Sequence, residues 1–164
     1  MKGIRDALVL AVVLLLQTTL AHRIGIAGIR PDLLVAFVVY FGWVRGAIAG
    51  TAGGFCVGLY QDLDAAGPLG LNALSKSVVG FLTAKAGFRV HRSNVAVRFV
   101  FFFVATVVHD LIYFGIDTAG DTGQLLRRLL FGTLPTALYT SVCTLLLLRI
   151  TERFSRHPLL ADEV

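Results

Sequence analysis

Four stretches of the chain, residues 7–20, 33–44, 95–116 and 129–148, run on with almost no charge. A membrane span needs about 20 apolar residues, or fewer where the bilayer thins. Two weaker stretches lie between them: 46–61, rich in glycine, and 69–88, interrupted by Asn72 and Lys76. The pattern predicts an all-α integral membrane bundle of six transmembrane helices forming a single domain over residues 1–164. The approximate spans are 7–21, 32–44, 46–61, 69–88, 95–116 and 129–148.

Within the third stretch Gly46, Gly50, Gly54 and Gly58 recur every fourth residue, and the next step of the row is Asp62. Glycine in a helix is worth roughly 1 kcal/mol less than alanine in water. In lipid, a row of small residues lets two helix backbones approach closely. Residues four apart drift by about 40° per step, so the row winds around the helix as an inclined ridge. The ridge serves packing within the chain, contact with a partner subunit, or neither, since glycine is common in membrane helices generally.

Composition agrees with the membrane reading. Of 164 residues 56% are hydrophobic and 15% charged, and the mean hydropathy is +0.78, outside the balance of a soluble domain. Short connections and the 152–164 tail, which holds a turn or two of surface helix at most, leave no room for a soluble catalytic domain. Cys56 and Cys143 fall within predicted spans, behave there as small apolar residues, and are poorly placed for a disulfide.

Charge sets an orientation. With six spans entered from the cytoplasm, Lys2, Arg5, Arg45, Lys85, Arg89, Arg92, Arg98, Arg149, Arg153 and Arg156 fall inside, and Arg23, Arg30, Arg127 and Arg128 outside. Ten against four places both termini in the cytoplasm by the positive-inside rule. The net charge of +5 follows from that asymmetry, so no nucleic-acid partner is needed. The inner basic loop suits anionic lipid headgroups at about 1 kcal/mol per residue. The start also resembles a secretory signal with a poor cleavage site near Thr19 and Ala21, but the later hydrophobic segments make an uncleaved first span the simpler account.

Several polar positions carry local meaning. Gln17, Thr18 and Thr19 suit bonds to a neighbouring helix or to their own preceding carbonyls. Pro31 fits the first helical position of the second span, and Asp32 in its first turn complements the helix dipole by roughly 0.3–1 kcal/mol. Tyr40 and Trp43 fit an aromatic belt. Asp62 to Asn72, containing Gly67, Pro68 and Gly70, is a turn rich in helix breakers. It begins like a calcium loop, but Ala66 and Ala73 stand where an EF-hand needs oxygen donors, so calcium is rejected. Pro135 lies inside the last span and kinks it, with Thr133, Thr136, Thr140, Ser141 and Thr144 available for helix contacts.

Lys76, His109 and Asp110 are ionisable residues within spans, where such groups need a partner or water. Lys76 lies about seven residues from the outer end of its span and Asp110 about six, so both are roughly 10 Å deep. An interhelical Lys76–Asp110 ion pair is one expectation. The alternative is a neutral Asp110 with Lys76 snorkelling outward. His109 points about 100° from Asp110 and lacks a second donor three or four residues away, so no metal site is expected. Ser75-Lys76 lacks the setting of a serine–lysine nucleophile. No catalytic or cofactor-binding residue is assigned.

The order of these features resembles the rod-shape-determining protein MreD family. The segments that carry it are Leu16-Gln17-Thr18-Thr19-Leu20, Arg30-Pro31-Asp32-Leu33-Leu34, Gly46 with Gly50, Gly54 through Asp62, and Gly67 through Leu74. The resemblance covers nearly the whole chain, although His109-Asp110 maps onto no family motif. It implies a non-enzymatic scaffold or regulator of the bacterial cell-elongation complex in the inner membrane. Such a protein binds MreC directly, works with RodA, a class B penicillin-binding protein and MreB, and supports lateral peptidoglycan synthesis. The family is also similar in architecture to the substrate-binding component of energy-coupling-factor transporters. A small-molecule carrier with a pocket lined by Asn72, Lys76, His109 and Asp110 is therefore the alternative, and oligomeric state stays open.

Overall fold

The computed structural model describes residues 2–20, 25, 29–64, 67–87, 94–118 and 120–154. The expected surface helix at the end of the tail, the basic loop around Arg89 and Arg92, Arg23, and the Ala65-Ala66 step of the acidic turn lie outside the described residues.

Among these residues the chain is all helical, with six rods in sequence. Helix α1 is Lys2–Leu15, continued by a π turn over Leu16–Leu20. Then come α2 (Leu33–Arg45), α3 (Ala47–Asp64), α4 (Leu71–Gly87) and α5 (Val95–Asp117). The last, α6, runs through Thr122–Arg128, a π turn at Leu129–Thr133, and Leu134–Phe154. Two of the six are long and apolar enough to cross a membrane, Val95–Asp117 and Thr122–Ile150. Helix α6 starts well before the expected 129, because Asp121 caps it by accepting from the Gln124 amide and the Arg128 guanidinium pairs with Asp117 across the turn.

Helix α2 is the centre. It is apolar on all sides, and Leu33 through Val39 are buried without interruption, as a helix surrounded by others must be. On one side Val35, Ala36, Val39 and Trp43 pack with Val79 of α4 and Phe102 and Ala105 of α5. On another, Leu34, Phe37 and Val38 pack with Val57 of α3, and Leu10, Val13 and Leu14 of α1 lie against them. Trp43 departs from the expected aromatic belt. It is 4% exposed, its ring centroid lies 4.7 Å from that of Phe101, and its indole Nε1 donates to the Gly87 carbonyl at 3.0 Å. A buried indole N–H needs such a partner, and the C-terminal end of α4 supplies it.

Helix α6 shows which solvent the bundle is built for. Leu126, Leu130, Leu134, Leu138, Val142, Leu146 and Ile150 form an exposed aliphatic row, while Thr133, Ala137, Thr140, Ser141 and Thr144 face inward and are buried. This is amphipathicity turned inside out. In lipid it is the stable arrangement, because the tails are as apolar as leucine and small polar residues favour close helix contact. Two of the buried hydroxyls are satisfied locally, Ser141 by the Ala137 carbonyl and Thr144 by that of Thr140, whereas Thr133 Oγ1 has no partner among the described residues. The π turn stops just short of Pro135, a register change of the kind that accommodates a proline lacking its N–H.

Candidate functional site

The site begins with the α3–α4 hairpin, whose two helices are the most closely packed in the molecule. Gly50, Gly54 and Gly58 are buried on α3 and lie on the backbone of α4. A Cβ on Gly54 would fall 2.6 Å from the Lys76 carbonyl carbon and 2.9 Å from the Ser77 nitrogen, and one on Gly50 2.6 Å from the Gly80 carbonyl oxygen. The packing is therefore within the chain. Gly46 does not belong to this ridge: its φ is +87° with open space around it, so it makes the α2–α3 turn. Two glycines outside the row complete the seam. Gly80 meets Gly50 backbone to backbone, and Gly42 of α2 fits against the Gly80 carbonyl at the same crossing.

At the far end of the ridge Asp62 closes the hairpin. Its Oδ2 accepts from the amides of Gly70 and Ala73, and its Oδ1 from the amide and side-chain Nδ2 of Asn72, all at 3.0 Å. The first turn of α4 thus has its orphan N–H groups satisfied by a carboxylate from the preceding helix. Gly70 makes the turn possible with a φ of +95°, while Gly67 and Pro68 are exposed beside it.

One turn further along α4 sits Lys76, whose side chain is fully buried. Its ammonium lies 3.3 Å from Asp32 Oδ2, 3.3 Å from Asn72 Oδ1 and 3.0 Å from His109 Nε2. Three acceptors match the three protons of an ammonium group. With Nε2 accepting, the remaining imidazole proton sits on Nδ1 and is donated to Asp110 Oδ1 at 2.9 Å. Removing two charges from water is repaid only when their remaining bonds are also filled, and here they are. Asp32 is the N-cap of α2, its Oδ1 accepting from the Leu34 and Val35 amides. The Asp32 amide donates to Thr140 Oγ1 and the Leu33 amide to Gln17 Oε1. All six helices meet in this network, α3 through Asp62.

The expected Lys76–Asp110 ion pair gives way to a relay. Among the described residues Lys76 pairs with Asp32, and Asp110 reaches it only through His109. The depth argument compared α4 with α5 alone, whereas the end of central α2 lies between them and presents Asp32. Because Asp32 is the cap, Pro31 stands outside the helix instead of at its first position. The turn of the His109 ring toward Asp110 overrides the 100° between their backbone positions. Gln17 makes the interhelical bond, while the Thr18 and Thr19 hydroxyls return to the carbonyls of Leu14 and Leu15. Ser75 is occupied in the same way, donating to the carbonyls of Leu71 and Asn72. Thr140, one of several small polar residues on the last span, has no feature in sequence that marks it as the partner of Asp32.

Beside the network lies a cavity of about 790 Å³ at the end of the bundle that carries Asp32, Asp62 and Asp110. Asp32, Asn72, His109 and Asp110 form part of its wall, with Arg30, Asp64 and the aromatic rings of Tyr60, Tyr113 and Phe114 contributing elsewhere.

The sequence model of the family described as rod shape-determining protein MreD matches residues 6–157. The chain belongs to the MreD family. Membership gives it a role in rod-shape determination, and the family is a shape-determining component, not a known enzyme family. Neither the curated proteins nor the solved structures yield a match, so the architectural likeness to energy-coupling-factor components remains an expectation from sequence. The MreD assignment spans every element of the network, from Gln17 on α1 to Thr140 on α6.

Proposed function

We propose that this MreD-family chain is a non-enzymatic, multi-pass scaffold of the bacterial cell-elongation complex. It sits in the inner membrane with both termini cytoplasmic and binds MreC. RodA, a class B penicillin-binding protein and MreB are its further associates in lateral peptidoglycan synthesis. The family match over residues 6–157 carries the reading. The form of the molecule supports it: the seam of Gly42, Gly50, Gly54, Gly58 and Gly80 makes a stiff core, and the aliphatic row of α6 offers an outward apolar face. A partner's span docks on such a face by close packing within lipid. The six rods are read as six spans, the shorter ones crossing a locally thinned bilayer.

The test is affinity isolation of the tagged chain from its native membrane in mild detergent, with immunodetection of MreC. The reading predicts co-isolation of MreC with the wild-type chain and its loss when Leu134, Leu138 and Val142 are replaced by alanine without loss of folded protein. Recovery of folded chain without MreC under every mild condition contradicts it.

A further inference from the structure

The cavity beside the buried network has a chemistry of its own. At about 790 Å³ it has the size of a small-molecule site, and its wall is largely polar and charged, with the rings of Tyr60, Tyr113 and Phe114 among it. Its charges do not balance. Asp32, Asp64 and Asp110 line it against one described cation in the wall, Arg30. Lys76, behind the wall, neutralises Asp32, and His109 accepts from Lys76 and so stays uncharged. Among the described residues, two cations face three carboxylates, and one carboxylate is in excess.

Hydrogen-bonding capacity points the same way. Gln61 Oε1 is buried in this wall with no partner, and a buried acceptor left unmade is costly. Asp110 spends Oδ1 on His109 and receives nothing at Oδ2 from the described residues. Both atoms accept and neither donates, so a donor is what the cavity lacks. Among the described residues no three His, Cys, Asp or Glu side chains are grouped to hold a metal ion. Phe114 already has the Arg128 guanidinium over its ring and Tyr113 stacks with His109; Tyr60 also lines the cavity, and a guanidinium or ammonium is attracted to an aromatic ring.

We propose that this cavity binds an organic monocation, a guanidinium or primary ammonium group, with Asp64, Asp110 and Gln61 Oε1 as its acceptors. The group comes from a free small molecule or from a basic side chain presented by a polypeptide. The inference is independent of the scaffold reading.

The experiment uses the full chain in lipid nanodiscs and isothermal titration with N-acetyl-arginine amide, N-acetyl-lysine amide and the neutral N-acetyl-citrulline amide. Saturable binding of one of the cations is expected, about tenfold or more tighter than the citrulline compound, since a hydrogen bond to a charged group is worth that much. Asp64→Asn, on an exposed position, weakens binding by a similar factor while thermal unfolding stays as in the wild type, and Asp110→Asn, which keeps an acceptor for His109, weakens binding likewise. A glycine-flanked arginine peptide separates the sources: binding as tight as that of the amide indicates a presented side chain, and exclusion of the peptide indicates a free ligand. No saturable binding of either cation, equal binding of the citrulline compound, or unchanged affinity in both variants overturns the proposal.

Discussion

Replacing Gly54 by alanine adds one methyl group in the close-packed seam of the hairpin. The new Cβ would lie 2.6 Å from the carbonyl carbon of Lys76 and 2.9 Å from the Ser77 nitrogen, where ordinary contact begins at 3.4 Å. Both neighbours are backbone, so no side chain can swing away; the Lys76 carbonyl oxygen lies closer still, and the helices must part locally by at least about 0.8 Å, the difference between 2.6 and 3.4 Å. A gap of about 0.5–1 Å forfeits a quarter to a half of the dispersion attraction along the opened seam, and overpacking costs typically about 1–3 kcal/mol. Alanine's better helix propensity returns up to about 1 kcal/mol. The net expectation is a loss of about 1–2 kcal/mol. Trp43 is the single tryptophan and is buried, so its fluorescence reports unfolding by sodium dodecyl sulfate in mixed micelles. Gly115→Ala is the control, because a Cβ there meets nothing within 4 Å, and it should unfold with or after the wild type. Equal stability of Gly54→Ala and Gly115→Ala would refute the argument that the seam is closed by absent side chains.

Asp62→Ala removes the acceptor of four hydrogen bonds at the start of α4. A loss of about 2 kcal/mol is expected, with hydrogen exchange accelerated at the amides of Gly70, Asn72 and Ala73; unchanged exchange at these three contradicts the capping role. Trp43→Phe keeps an aromatic ring against Phe101 but leaves the Gly87 carbonyl without the indole donor. Thermal unfolding should show a loss of about 1 kcal/mol, and a variant as stable as the wild type would place the bond outside the folded core.

Sequence made some of this legible and hid the rest for physical reasons. Helix positions follow from uninterrupted apolar runs, and the packing ridge from a period of four that places Gly50, Gly54 and Gly58 on one inclined face. Gly42 is the one glycine of α2 and Gly80 shares α4 only with Gly87, so no four-residue period marks them; only the crossing of α2, α3 and α4 brings them together. Gly46 fits the period yet serves the turn, since the helix begins one residue later. For Lys76, depth along the helix correctly implied a need for partners, but lateral order is not encoded in depth. The central placement of α2 puts Asp32 beside the ammonium and leaves Asp110 one residue removed, behind His109. Trp43 belongs by type to a membrane interface, and it is the Gly87 carbonyl and the Phe101 and Phe102 rings that draw it into the core.

Folding of six helices onto one buried ion pair is tested most directly by a double-mutant cycle at Lys76 and Asp32, measured in mixed micelles with Trp43 fluorescence. Lys76→Met and Asp32→Asn should each be strongly destabilising, by about 3–5 kcal/mol where a buried charge loses its partner. The double variant should be less destabilised than the sum of the two by more than about 1 kcal/mol. Additivity within about 0.5 kcal/mol would contradict the account, because it would mean that the two charges do not meet in the folded bundle.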